Sequence, residues 1–368
     1  MLTKTFSVFA AFCLLSPLCA AADWAALISP RGQIFPALIL ATANLPERRA
    51  SASVIGDSNG LIGARMVASR DQQRVVLHID MPGWLRDSRI EAVLPQRGQR
   101  YQIYPTLAWD FDKLRSSRHG APETLRFSLA VDDQPAEVKQ VRVRIRSVND
   151  APYFIASKKS PTDLSWMFAA YVDEDHPRVT RIINEALATG IVKRFDGYQR
   201  KDPQAVLKQV YAIWFVLQKH GIHYSSITRT GNALTEVYAQ HVRFLDESWM
   251  NNQANCVDGS VLLASVLRKL DLNPALVLMP GHMLLAFELA PGGDRVYLET
   301  TRLDNAQANA DGALDDAESF QSFATAIARG FAAYQRGQGN FGDLRQPEYQ
   351  IIDIATARNR GVMPINGR

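Results

Sequence analysis

At about residue 174 the apolar pattern of this chain changes period, from two to between three and four, so neither an all-strand nor an all-helix fold accommodates the whole of it. Before the change, Leu125, Phe127, Leu129 and Val131 alternate with polar or small residues, and Val141, Val143 and Ile145 alternate with Arg142, Arg144 and Arg146. Successive side chains of a strand point to opposite faces, so both runs read as half-buried strands. Turn residues punctuate the same region at Asp57-Ser58-Asn59-Gly60, Pro82-Gly83, Pro95 to Gly98 and Asp132-Asp133. Short strands spaced in this way predict a β-sandwich over residues 23–153. After the change, Asp202-Pro203 supplies a capping side chain and a proline suited to a first helical position. Val206, Val210, Ile213, Trp214 and Leu217 follow as one apolar face, and Gly221 closes the run. Pro177 to Leu187 predicts an earlier helix and Asn232 to Leu245 a later one. No internal period of about 20 to 50 residues is evident. The expected architecture is α+β, with the sandwich followed by a mixed domain over 154–368. A hydrophobic content of 47% over 368 residues is enough core for two domains.

The first 22 residues read as an export signal. Lys4 gives a positive start, Phe6 to Leu15 an apolar stretch, and Ala20-Ala21-Ala22 a small-residue cleavage site before Asp23. The stretch is shorter than the roughly 20 residues needed to span a bilayer, and no other is long and apolar enough. Lipid attachment would use Cys19, but Leu18 stands before it where that signal wants a small side chain. The expected product is periplasmic or secreted, starts near Asp23 and has no membrane span once the signal is removed. Lys4 is the one charged residue removed, so the formal net charge falls from +4 to +3. Basic residues are scattered among acids, which gives no footprint for nucleic acid. Of three cysteines, Cys13 and Cys19 leave with the signal, and Cys256 is left alone in a compartment where cysteines normally pair. A solitary exported thiol is either inert and buried or reactive and kept free.

The surroundings of Cys256 favour the second. Gln253-Ala254-Asn255-Cys256-Val257-Asp258-Gly259-Ser260 precedes Val261 to Leu270, which is apolar on nearly every side, as in a buried helix. Asn255 suits the N-cap, and Asp258, three residues on, completes a capping-box-like pair. Cys256 then takes the first helical position, where unpaired N–H groups and the dipole favour thiolate and point toward a developing oxyanion. Downstream, Ala275 to Met279 lies between Pro274 and Pro280 as a buried strand. Gly281-His282 opens a second strand, Met283 to Leu289, and the turn Pro291-Gly292-Gly293-Asp294 leads to Val296-Tyr297-Leu298-Glu299-Thr300-Thr301.

In that order, helix with cysteine at its start, strand, strand opened by histidine, strand ending in an acid, the chain resembles the transglutaminase-like (papain-type) cysteine enzymes. Members often carry aspartate two residues after the cysteine, as Asp258 stands here, and an Asp-Pro-Thr-like segment where Glu299-Thr300-Thr301 stands. Gly221-Ile222-His223-Tyr224 looks like the strand that precedes the family's cysteine helix. The resemblance covers roughly residues 200–303. It implies a papain-like fold with Cys256 as nucleophile, His282 as base and Glu299 as the orienting acid, although the family usually has aspartate there. A four-residue turn at 291–294 would set His282 opposite Leu303, so a wider loop or a bulge is needed to bring Glu299 across, and Asp304 is the alternative acid. The segment Val148 to Phe154 also looks like the end of an immunoglobulin-like or cadherin-like repeat. In such repeats the acids bind calcium; read on its own, the segment is an ordinary turn leaving a strand.

Trp249, Asn251, Asn252, Gln253 and Asn255 stand near enough to the cysteine to wall an oxyanion or substrate site, with a place in the core as the other reading of Trp249. His220, His223 and His241 read as helix-end or surface groups, no spacing predicts a metal site, and no cofactor is implied. The functional expectation is an exported cysteine peptidase or amidase acting on a protein or peptide substrate of the envelope. Acyl transfer to an amine, a catalytically idle binding module and a purely structural envelope protein are the other readings.

Overall fold

The period-two half forms two sheets in the computed structural model, which describes residues 23–47, 51–157, 161–226, 236–306, 308, 313–343 and 345–365. Residues 1–22, where the export signal is expected and which include Cys13 and Cys19, lie outside the described residues. One sheet has the order Trp24–Ile28, Ile62–Val67, Arg100–Tyr104, Val54–Gly56. The other has the order Gln33–Ile34, Glu137–Ile145, Ala121–Val131, Gln73–Met81, Leu85–Leu94. Alternation decides which side chains go in: Val75, Leu77 and Ile79 are buried, as are Leu125, Phe127, Leu129, Val143 and Ile145. Trp24 of the first sheet packs on Phe127 of the second, with ring centroids 6.4 Å apart, so the two sheets share one apolar interior.

The division expected near 153 falls inside a strand. Asp150–Ile155 pairs antiparallel with Val237–His241 and with Thr162–Asp163. Beside it, Asn149 Nδ2 donates to Val242 O and Glu247 Oε2, both at 2.8 Å. The Val148-to-Phe154 segment therefore ties the two halves of the chain together by backbone pairing. The same pairing corrects the helix expected over Asn232–Leu245. Residues 232–235 lie outside the described residues, and 237–241 form a strand with Val237 and Ala239 facing inward.

The helices expected at Pro177 and at Pro203 both form, while Pro36–Thr42 and Phe111–Ser116 add helices within the half expected to be a β-sandwich. Helix Pro177–Ala188 is capped by His176, and helix Pro203–His220 begins at Asp202, whose side chain accepts from Gln204 N. The latter ends at Gly221, whose φ of +79° suits glycine. The chain is mixed in class, with helices and several sheets, as the α+β expectation requires. Among the described residues no helix is long and apolar enough to cross a membrane.

A four-stranded antiparallel sheet carries the candidate site, in the order Arg295–Leu298, His282–Glu288, Pro274–Met279, Gln350–Asp353. Leu276, Leu278, Met283, Leu285 and Phe287 join the main core with the helix Cys256–Lys269, while Ala275, Val277, Leu284, Ala286 and Tyr297 face Ala333 of the helix Asp316–Gly337. Cover on both faces explains strands that are apolar at consecutive positions.

The second helix lies directly on the strand backbone. A Cβ at Gly330 would stand 2.3 Å from Tyr297 O, and Glu299 N donates to Ala326 O at 3.1 Å. Gly330→Ala should therefore lower stability by about 1–3 kcal/mol through overpacking, despite alanine's better helix propensity. A melting temperature equal to that of the parent protein would show that the helix does not seat there.

Candidate active site

Asn255 and Asp258 build the start of the cysteine helix. Asn255 Oδ1 accepts from Val257 N at 2.8 Å and from Asp258 N at 2.9 Å, and Asp258 Oδ2 accepts from Asn255 N at 3.0 Å. This reciprocal pairing satisfies the first-turn donors and fixes where the helix begins. Cys256 is its first residue and is half-buried. Its carbonyl accepts from Ser260 Oγ at 2.7 Å and from Thr300 Oγ1 at 3.3 Å, which joins the first turn to the segment that follows Glu299. Asp258 is further held by Arg243, which donates from N at 2.8 Å and from Nη1 at 2.7 Å.

His282 opens its strand, and Glu299 follows directly on the end of the neighbouring one. The pairing closes at Glu288 opposite Arg295, and Leu285 stands opposite Leu298. Continued by one residue, that register sets Glu299 against Leu284, so His282 is its diagonal neighbour on the same face, within reach of a long side chain. The wider loop runs over residues 289–294 and is held by Gly292 N donating to Glu288 Oε2 at 2.8 Å. Glu299 itself caps the 3-10 turn Thr300–Asn305, and its Oε1 accepts from Thr301 N at 3.2 Å and Thr301 Oγ1 at 2.7 Å. Its Oε2 accepts from His282 Nε2 at 2.7 Å.

The histidine's other partner is Cys256. Burial pulls the His282 pKa down, but hydrogen bonds to Cys256 and Glu299 outweigh it and push the value up to about 10. For Glu299, burial acts upward and is outweighed by the bonds from His282 and Thr301, which hold the carboxyl below its ordinary range. With Nε2 committed to Glu299, Nδ1 is the nitrogen left for sulfur. The imidazole is thus bonded to the carboxylate on one side and influenced by the thiol on the other, an arrangement able to pass a proton between sulfur and ring.

The other expected site residues divide. Gln253 lies in a short strand with Ala254, paired in parallel with His223–Tyr224, immediately before the cysteine helix. Asn255 is at the site but spends Oδ1 on capping. Trp249 is a packed side chain: it stacks on His220 with ring centroids 3.6 Å apart, and Arg178 lies over its ring at 5.3 Å. Asp304 accepts from Tyr224 N at 3.3 Å. Tyr224 was not singled out from sequence, yet it stands close enough to Cys256 and Glu299 for both to add to the upward push of burial on its pKa. The signal available was its place in Gly221-Ile222-His223-Tyr224; the register Tyr224 to Ala254, which sets it beside the cysteine, comes only from the fold. Among the described residues no group of three or more histidine, cysteine or acidic side chains is placed to hold a metal. No protein-family model matches the chain, and no curated protein matches it.

Proposed function

We propose that the protein is an exported, cysteine-dependent amide hydrolase whose second half is papain-like, of the transglutaminase-like kind, and whose first half is an immunoglobulin-like sandwich. Its substrate is a protein or peptide of the cell envelope or its surroundings. The observation that carries the reading is the bond from His282 to Glu299 beside Cys256, the first residue of a capped helix and the free cysteine among the described residues.

In this mechanism the Cys256 sulfur attacks the amide carbonyl carbon, and the carbonyl electrons move onto oxygen, toward the Cys256 backbone N–H, since Val257 N and Asp258 N are spent on Asn255 Oδ1. As the tetrahedral intermediate collapses, the C–N bond breaks and His282 gives its proton to the leaving amine, which leaves a thioester. Water then attacks that thioester, His282 takes one of its protons, and the acid product leaves as the thiol is restored. Glu299 orients the ring and steadies it while it is charged.

Iodoacetamide measures the first step without a known substrate. Cys256 should be alkylated at pH 6 on the order of tenfold faster than free cysteine, which is almost wholly protonated there. The rate should fall toward the free-cysteine value in His282→Ala. A slow reaction indifferent to His282 would identify Cys256 as an inert thiol and remove the basis for this function.

A further inference from the structure

A cleft of about 440 Å³ opens beside His282 and Glu299, on the sheet face covered by the helix Asp316–Gly337. Its wall holds three arginines from two elements: Arg302 from the turn after Glu299, and Arg329 and Arg336 from the helix. Positions seven apart on a helix return to the same side after two turns. Between Arg329 and Arg336 stand Ala332 and Ala333, so the guanidinium groups border open space instead of a packed surface.

None of the three is paired with an acid among the described residues, and the buried Nε of Arg302 has no hydrogen-bond partner. The one carboxylate on the wall, Glu299, is already committed to His282 and Thr301. Arg329 and Arg336 reach into the cleft mouth as exposed side chains, whereas Arg302 is partly buried, and elsewhere in the chain partly buried arginines are matched, Arg243 to Asp258 and Arg358 to Glu174. Three cations lining one cleft with no bound counter-charge make a positive recess that gathers anions. A guanidinium presents paired N–H groups at the spacing of a carboxylate's two oxygens.

We propose that this cleft binds a carboxylate carried by the amide substrate, so that the enzyme selects acidic peptides or chain ends. The inference rests on the reading of Cys256 and His282 as nucleophile and base. The cleft touches His282 and Glu299 but lies across the sheet from the body of the cysteine helix, so the carboxylate is separated from the scissile bond by a spacer.

The test uses thiol-reactive probes of graded length on the mature chain: N-chloroacetyl glycine, N-chloroacetyl β-alanine and N-chloroacetyl 6-aminohexanoate, each beside its uncharged carboxamide. For at least one spacer the acid should label Cys256 on the order of tenfold faster than its carboxamide, after division by the same ratio on free cysteine. In the Arg329→Gln/Arg336→Gln double variant, and in about 1 M salt, that ratio should fall to the free-cysteine value. A ratio equal to that of free cysteine at all three lengths, or one that survives the double substitution, overturns the proposal. His282→Ala separates the two readings. If labelling by the carboxamide probes does not slow there, the nucleophile reading fails, and the acid-to-amide ratio still reports on the cleft.

Discussion

Glu299→Gln should lower amide turnover by between about a hundredfold and ten-thousandfold, the upper figure being the loss for the matching change in serine triads. Glutamine keeps the length and can still accept from Nε2–H, so geometry is preserved and only charge is removed. That charge is one of the two influences that outweigh burial and hold His282 up to about 10. Without it, burial pulls the ring toward the neutral form, and the proton destined for the leaving amine is no longer retained. The loss should stay below the serine-triad figure, because Cys256 as well as Glu299 raises the His282 pKa before substrate arrives, and that influence survives the substitution. The stability contribution carries the same sign. A histidine raised in the folded state stabilises fully below its ordinary value of 6.5 and loses that contribution as pH rises through about 10. Asp304→Asn is the control, since Asp304 meets the Tyr224 backbone and not the imidazole. Should Glu299→Gln turn over normally while Asp304→Asn does not, the acid has been misassigned.

How much of this was legible depended on whether a feature is local. The start of the cysteine helix could be read because Asn255 and Asp258 act within one turn of each other, and their spacing alone implies the reciprocal bonds found. The histidine–acid pair was legible only in order along the chain. Counting a four-residue turn at 291–294 puts the register two residues away from the pairing of Glu288 with Arg295. The wider loop is stabilised by the buried Glu288, which accepts from Gly292 N and from Asn273 Nδ2. Nothing in the hairpin's own sequence shows Asn273 arriving. Val237 to His241 reads as helix from sequence because its alternation is short and its strand partner, Asp150–Ile155, is remote in the chain. That same pairing hides from sequence that the Val148-to-Phe154 stretch belongs to both halves. The arginine cleft divides in the same manner. The interval from Arg329 to Arg336 shows one helix side, but only the fold brings Arg302 to it.

Asp258→Ala should destabilise the protein by about 3–5 kcal/mol, the cost of breaking a buried ion pair from one side. Asp258 is 1% exposed, and the Arg243 side chain is 12% exposed. Burial raises the Asp258 pKa, and the bonds from Asn255 and Arg243 offset only part of that rise. The carboxylate is therefore no net gift to stability, yet its removal is expensive. It strands the Arg243 guanidinium in the interior and leaves Asn255 N and Arg243 N without their acceptor. The double variant Asp258→Ala/Arg243→Ala separates these costs. If the stranded cation dominates, the double should be less destabilised than the sum of the two singles; if lost capping dominates, the costs should add. Thermal melts give the energies, and iodoacetamide labelling of Cys256 gives the consequence for the site. Because the capping box fixes where the helix begins, Asp258→Ala should also slow His282-dependent labelling at temperatures well below its melt. A variant that melts early but labels at the parent rate would mean that the cysteine is positioned by the Ser260 and Thr300 bonds to its carbonyl, and not by the cap.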